Sequence, residues 1–214
     1  NLWNQGILQE KPGQNTGQTN IPPNIPEFTS ENDKKEAFKL AICKQESTDK
    51  CDDNAVNTDT ASGAYGRYQF IPPTALSYAK DLQAENVDIG ISQPLSLLPQ
   101  SEALDIIKNK LLQKEFSELI MERHYKTLYD LFDGNMGLMI AGHYTNPYTI
   151  KSKLRLVYPG VNNYANIDIE EFARLLSQGK SINGDSIQPS DFLTRKQGSE
   201  QNYPSIIDYT VSVL

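Results

Sequence analysis

Basic residues are outnumbered in this chain, histidine and cysteine are scarce, and no long apolar run occurs. Of 214 residues, lysine and arginine supply 20 against 27 acidic residues, a net charge of -7. That balance argues against a nucleic-acid binder relying on phosphate neutralisation. It offers no attraction to a polyanion either, which leaves binding to groove contacts with short-range help from residues such as Arg67. No stretch approaches the roughly 20 apolar residues of a membrane span. No signal peptide is visible at Asn1, as in a mature chain whose export signal has been removed. With two histidines and no Cys/His cluster, a metal site is not expected. Glu122-Arg123-His124-Tyr125 lacks metal-ligand spacing. A nucleophile elbow and a phosphate-binding loop are also missing, and Ser47 has no identifiable His-Asp partnership.

What is present is concentrated in residues 37–75. Asp33, with Glu36 three residues on, reads as a capping box, and Ala37, Phe38, Leu40, Ala41 and Ile42 supply an apolar helical face. Glu46 falls four residues after Ile42 and so on the same stripe, which turns its carboxyl towards the core side of a helix end. Partial desolvation there would raise its proton affinity and suit it to act as a general acid and base. Taken from the helix alone, an exposed acid at a fraying end is the commoner arrangement. Downstream, Gly63-Ala64-Tyr65-Gly66-Arg67-Tyr68-Gln69-Phe70 has two glycines three apart, allowing close backbone approach. Tyr65 and Tyr68 offer flat faces with a hydroxyl at the rim, and Gln69 carries both donor and acceptor. Pro72 and Pro73 then open a second helix.

These residues resemble the lysozyme-like superfamily, and most of all the lytic transglycosylase domain of the soluble-transglycosylase type. The resemblance rests on Glu46-Ser47, then Gly63-Ala64-Tyr65-Gly66-Arg67-Tyr68-Gln69-Phe70-Ile71-Pro72-Pro73-Thr74-Ala75, and a weaker third motif, Ala141-Gly142-His143-Tyr144-Thr145-Asn146-Pro147. It covers about residues 33–160. It implies a mostly α, lysozyme-like fold with a substrate groove and cleavage of the β-1,4 bond between N-acetylmuramic acid and N-acetylglucosamine in peptidoglycan glycan strands. Glu46 would be the catalytic acid and base, forming a 1,6-anhydro end without a cofactor. Thr60, Ser62, Tyr65, Tyr68, Gln69 and Ile71 would line the substrate site. The family tyrosine of the third motif falls on Tyr144 by residue type and on His143 when aligned on Pro147; Tyr144 is preferred because a phenol hydrogen-bonds without carrying charge.

Other readings stay open beside it. A hydrolytic lysozyme of the same fold would need a second carboxylate, for which Asp59 is best placed in the acidic loop of Asp49, Asp52 and Asp53. An inactive glycan-binding module, or a structural part of a secretion system or phage particle, would act through its surfaces or its terminal extensions, including Trp3. Cys43 and Cys51 bracket Glu46. A disulfide between them would restrain the helix end and fit an extracytoplasmic setting, periplasmic or virion-associated; two free thiols are the alternative.

Outside this region, residues 1–30 read as a polar, proline-rich extension, 31–160 as the domain, and 161–214 as a C-terminal extension packing on it. Helices are expected over 74–84, 101–110, 113–132, closed by Gly134, and 168–178, stopped by Gly179. A β-prone stretch covers 206–214.

Overall fold

A computed structural model describes residues 30–47, 50–58, 63–194, 208 and 210. Its architecture is mostly α, built from helices α1 (Glu31–Ser47), α2 (Pro72–Ala84), α3 (Gln100–Leu111), α4 (Lys114–Phe132), α5 (Met136–Tyr144), α6 (Pro147–Val157) and α7 (Ile169–Gln178). The only sheet among the described residues pairs β1 (Val56–Asn57) with β2 (Ala64–Tyr65), antiparallel, with Val56 opposite Tyr65. No described helix is long and apolar enough to cross a membrane. The N-terminal segment 1–29 lies outside the described residues, so the extension expected there, Trp3 included, has no structural account.

Helix α4 organises the rest. Phe116, Ile120, Leu128 and Phe132 recur at helical spacing and are all buried, and the helix touches α2, α3, α5 and α6. Helix α5 is the innermost: Leu138 through Gly142 are buried in succession, so it has no solvent face to keep polar. It approaches α4 closely because residue 142 is glycine; a Cβ there would lie 2.8 Å from the Phe132 ring and 2.9 Å from Leu128. Helix α1 joins this core through Phe38, edge-on to Tyr125 at 5.4 Å. Phe172, Leu176 and Leu193, from the expected C-terminal extension, share the same continuous core.

Local details differ from the sequence expectation in instructive ways. The capping box on α1 is Ser30 with Asp33: the Asp33 amide donates to Ser30 Oγ and the Ser30 amide donates to Asp33 Oδ2, both at 3.1 Å. Serine thus starts the helix three residues before the expected cap. Leu40, assigned to the apolar face, is 51% exposed, and its place is taken by the stem of Lys39, only 7% exposed. Asp133, not Gly134, closes α4, in left-handed conformation at φ 54. Helix α7 runs as expected, with Asp168 accepting from the Glu170 and Glu171 amides and Gly179 in the left-handed cap. Asp208 and Thr210, the described residues of the β-prone stretch, are helical.

Gly66 fixes the loop between the sheet and α2. Its φ is +75, its amide donates to Ala55 O at 2.8 Å, and a Cβ would collide with the backbone carbonyl of Leu111 at the end of α3. Backbone cannot swing aside as a side chain can. Gly66→Ala should therefore destabilise the fold by roughly 3 kcal/mol or more, read as a fall in the denaturation midpoint at unchanged slope; an unaltered midpoint would mean that the loop does not pass α3 in this way.

Candidate active site

Glu46 stands one residue before the end of α1, its side chain 22% exposed. Ile42, one turn earlier, is fully buried, and the shared stripe carries the carboxyl to the edge of the core. Cys43 and Cys51 are joined by a disulfide, Cα atoms 5.1 Å apart. Since Cys43 precedes Glu46 by three residues, the bridge ties the carboxyl's own turn to the segment that follows. Ser47, buried, donates its hydroxyl back to Cys43 O at 3.0 Å and so serves the helix end, not a nucleophilic role.

Across from Glu46, on α5, His143 places Nε2 at 3.7 Å from Glu46 Oε1. That is longer than a hydrogen bond. The His143 side chain is 6% exposed. Burial pushes its pKa from 6.5 down to about 4, so at neutral pH the group facing Glu46 is an uncharged imidazole. Behind it, on α4, lies His124, its ring centroid 5.2 Å from that of His143. Burial, with His143 as a second cause, holds His124 well below the usual imidazole range. Phe70 meets both rings edge-on, at 5.4 and 5.8 Å, and Tyr78 of α2 bonds His124 Nδ1 through its hydroxyl at 2.9 Å. Both histidines of the chain, far apart in sequence, thus converge behind one carboxyl.

The glycine-punctuated loop is held by a second polar cluster. Glu118 of α4 accepts from Lys39 Nζ at 2.7 Å, Arg67 NH1 at 2.7 Å and the Tyr68 hydroxyl at 2.8 Å. Burial alone would raise the Glu118 carboxyl, but the bonds from Lys39, Tyr68 and Arg67 outweigh it and hold it below its ordinary range. Arg67 also pairs with Asp53 at 2.6 Å. Its charge is thereby spent inside the protein, contrary to the expectation that it would assist polymer binding.

The expected site residues divide accordingly. Glu46 and His143 come together, and Tyr144 is half-buried as the last residue of α5. Tyr68 is a correction: its ring is 2% exposed in the core, so it has no face to offer a ligand. Gln69, at φ 48, spends its amide nitrogen on Gly66 O and Ala55 O, at 2.8 and 3.2 Å, which shapes the loop from within. Tyr65 is half-buried and Ile71 is 40% exposed, leaving both with surface to present. Asp59, Thr60 and Ser62 lie outside the described residues. Two clefts are formed elsewhere, one by Lys151, Arg155, Tyr158 and Tyr164, the other by Arg123, Lys126, Thr127 and Tyr148; neither includes Glu46.

His124 and Tyr78 were missed at the sequence level. A signal for His124 existed, since it falls midway between Ile120 and Leu128 on the buried stripe of α4, where a titratable group is out of place unless partnered. Its pairing with His143 had none. No family model, curated protein or solved structure matches this chain.

Two histidines kept neutral by burial make stability depend on pH with a definite sign. Unfolded histidines protonate as pH falls through 6.5, whereas His143 in the fold does so only near 4, so the unfolded state binds more protons in that window. The stability is fully present above pH 6.5 and is lost as pH falls towards 4; for His143 it is roughly 3 kcal/mol. Glu118, held below 4.5, adds its own loss only at lower pH. Thermal melting should therefore fall by roughly 5 °C or more between pH 7 and pH 5, and less in His143→Gln; a flat profile over that interval would contradict neutral burial.

Proposed function

We propose that this chain is a peptidoglycan lytic transglycosylase of the lysozyme-like kind, with Glu46 as its one general acid and base. The observation that carries the reading is the setting of that carboxyl: half-buried at a disulfide-tied helix end and backed by an uncharged imidazole. A neutral partner can stay against a carboxyl group in both of its protonation states, which a single residue acting first as acid and then as base requires. The combination of Glu46-Ser47 with the Gly63–Ala75 segment supplies the choice of substrate.

Glu46 protonates the oxygen of the β-1,4 bond between N-acetylmuramic acid and N-acetylglucosamine as the bond to the muramic C1 breaks. The substrate's acetamido group stabilises the positive charge developing at C1. The carboxylate then removes the proton of the C6 hydroxyl, whose oxygen closes on C1 to give the 1,6-anhydro end. Glu46 is returned protonated, and no water is consumed. Ile71 and Tyr65 are the loop side chains with surface to meet the glycan. The disulfide fits an oxidising, extracytoplasmic compartment, where the polymer is found.

Glu46→Gln keeps size and shape while removing the proton. Incubated with purified sacculi, it should clear them at least about a hundredfold more slowly than the parent, with an unchanged melting temperature at pH 7. Clearing at the parental rate would refute the assignment of Glu46.

A further inference from the structure

One of the two clefts away from Glu46 differs in sign from the molecule as a whole. It lies between the C-terminal half of α6 and the segment that follows, has a volume of about 330 Å³, and is lined by Lys151 and Arg155 but by no acid, in a chain of net charge -7. The two cations are four residues apart and so share one face of α6, where like charges repel. The partial negative charge at a helix C-terminus, roughly half an electron, offsets only a fraction of the pair.

Neighbouring carboxylates do not offset it either. Glu171 and Asp168, with Arg174, are the charged groups acting on Tyr158 in the cleft wall. Glu171 is held by Arg174 through two bonds of 2.6 Å, and Asp168 accepts from the Glu170 and Glu171 amides. Asp133 accepts from the Tyr164 amide at 2.9 Å. Lys151 gives one of its three N–H groups to Leu131 O at 2.7 Å and stands over the Tyr164 ring. Arg155 is exposed and makes no hydrogen bond or ion pair among the described residues. Donors on both cations therefore remain available to an anion.

Two cations about 6 Å apart along a helix suit two carboxylates on one small molecule, and a guanidinium takes a carboxylate through two parallel bonds. The remaining walls narrow the choice. Tyr158, Tyr164 and half-buried Val161 add apolar surface, and the exposed Asn162 amide can both donate and accept. A bare inorganic anion uses neither feature; a peptide uses both. We propose that this cleft binds a short peptide carrying two carboxylates, one on Arg155 and the other on Lys151. Peptides with free carboxylates hang from the glycan of the polymer assigned above. Naming them as the natural ligand rests on the proposed function, whereas the binding itself does not. The cleft holds a strand by its peptide and leaves Glu46 to act on the sugar.

Titration of the full 15N-labelled chain with N-acetyl-alanyl-glutamate, which carries two carboxylates, tests this through the amide resonances. Shifts should be confined to residues 151–164, and the dissociation constant should rise with added salt. In Arg155→Gln it should rise about tenfold, at an unchanged melting temperature because the side chain is exposed. The neutral N-acetyl-alanyl-glutamine amide should bind at least about tenfold more weakly than the diacid. Equal binding of that amide, binding of inorganic phosphate as tight as that of the diacid, shifts centred elsewhere, or an Arg155→Gln chain that binds like the parent would each overturn the proposal. The titration involves neither glycan nor Glu46. Should Glu46→Gln clear sacculi at the parental rate while the diacid binds as expected, the enzyme assignment fails and the peptide site stands; the opposite pattern removes the site and leaves the enzyme.

Discussion

An uncharged imidazole held in the core against a half-buried carboxyl is the constraint on which the rest of this arrangement depends. Were His143 exposed enough to ionise near neutrality, it would form an ion pair with Glu46 and favour the carboxylate permanently. Enclosure by α4, α5 and Phe70 prevents that. The same enclosure forces His124 to be neutral as well, since a second imidazole lies within ring contact. The cost is a polar cluster inside an apolar core: the Tyr78 hydroxyl satisfies His124 Nδ1, while His124 Nε2 and His143 Nδ1 are buried without a hydrogen-bond partner.

The carboxyl also has to be held still. Two separate devices do this, one on each side of the loop. The Cys43–Cys51 disulfide fastens the last turn of α1 to the chain that follows it. Glu118 gathers Lys39 from α1 with Arg67 and Tyr68 from the loop, so the helix bearing the acid and the segment expected to meet the glycan are anchored to one residue of α4. Replacing that carboxylate would take from Lys39 its closest partner, leaving Glu36 and Glu122 at 3.4 and 3.5 Å, and from Arg67 one of its two, leaving Asp53. Gly66 completes the arrangement by letting the loop backbone pass against the end of α3.

Helix positions were largely legible because their causes are local. The apolar repeat of α4 and the Gly179 stop can each be read within a turn or two of chain, and the helix boundaries there followed to within a residue or two. Where a cause was not local, the reading erred. Tyr68 looked like a ligand platform because the sequence says nothing of Glu118, fifty residues on, which draws its hydroxyl inwards. Lys39 takes the buried place expected of Leu40 because Glu118 receives its ammonium at 2.7 Å, with Glu36 and Glu122 beside it. At the third motif the residue found beside Glu46 is His143, the second choice there after Tyr144. The convergence of His124 and Tyr78 behind it depends on how three helices pack and could not be read from spacing.

The central claim is that Glu46 breaks a glycan bond and closes a ring without water. Mass spectrometry of the soluble products from purified sacculi tests it most directly. Muropeptides ending in 1,6-anhydro-N-acetylmuramic acid, one water lighter than the hydrolytic products, are predicted. Fully hydrated reducing ends would contradict ring closure, and sacculi that release nothing would contradict the enzyme altogether.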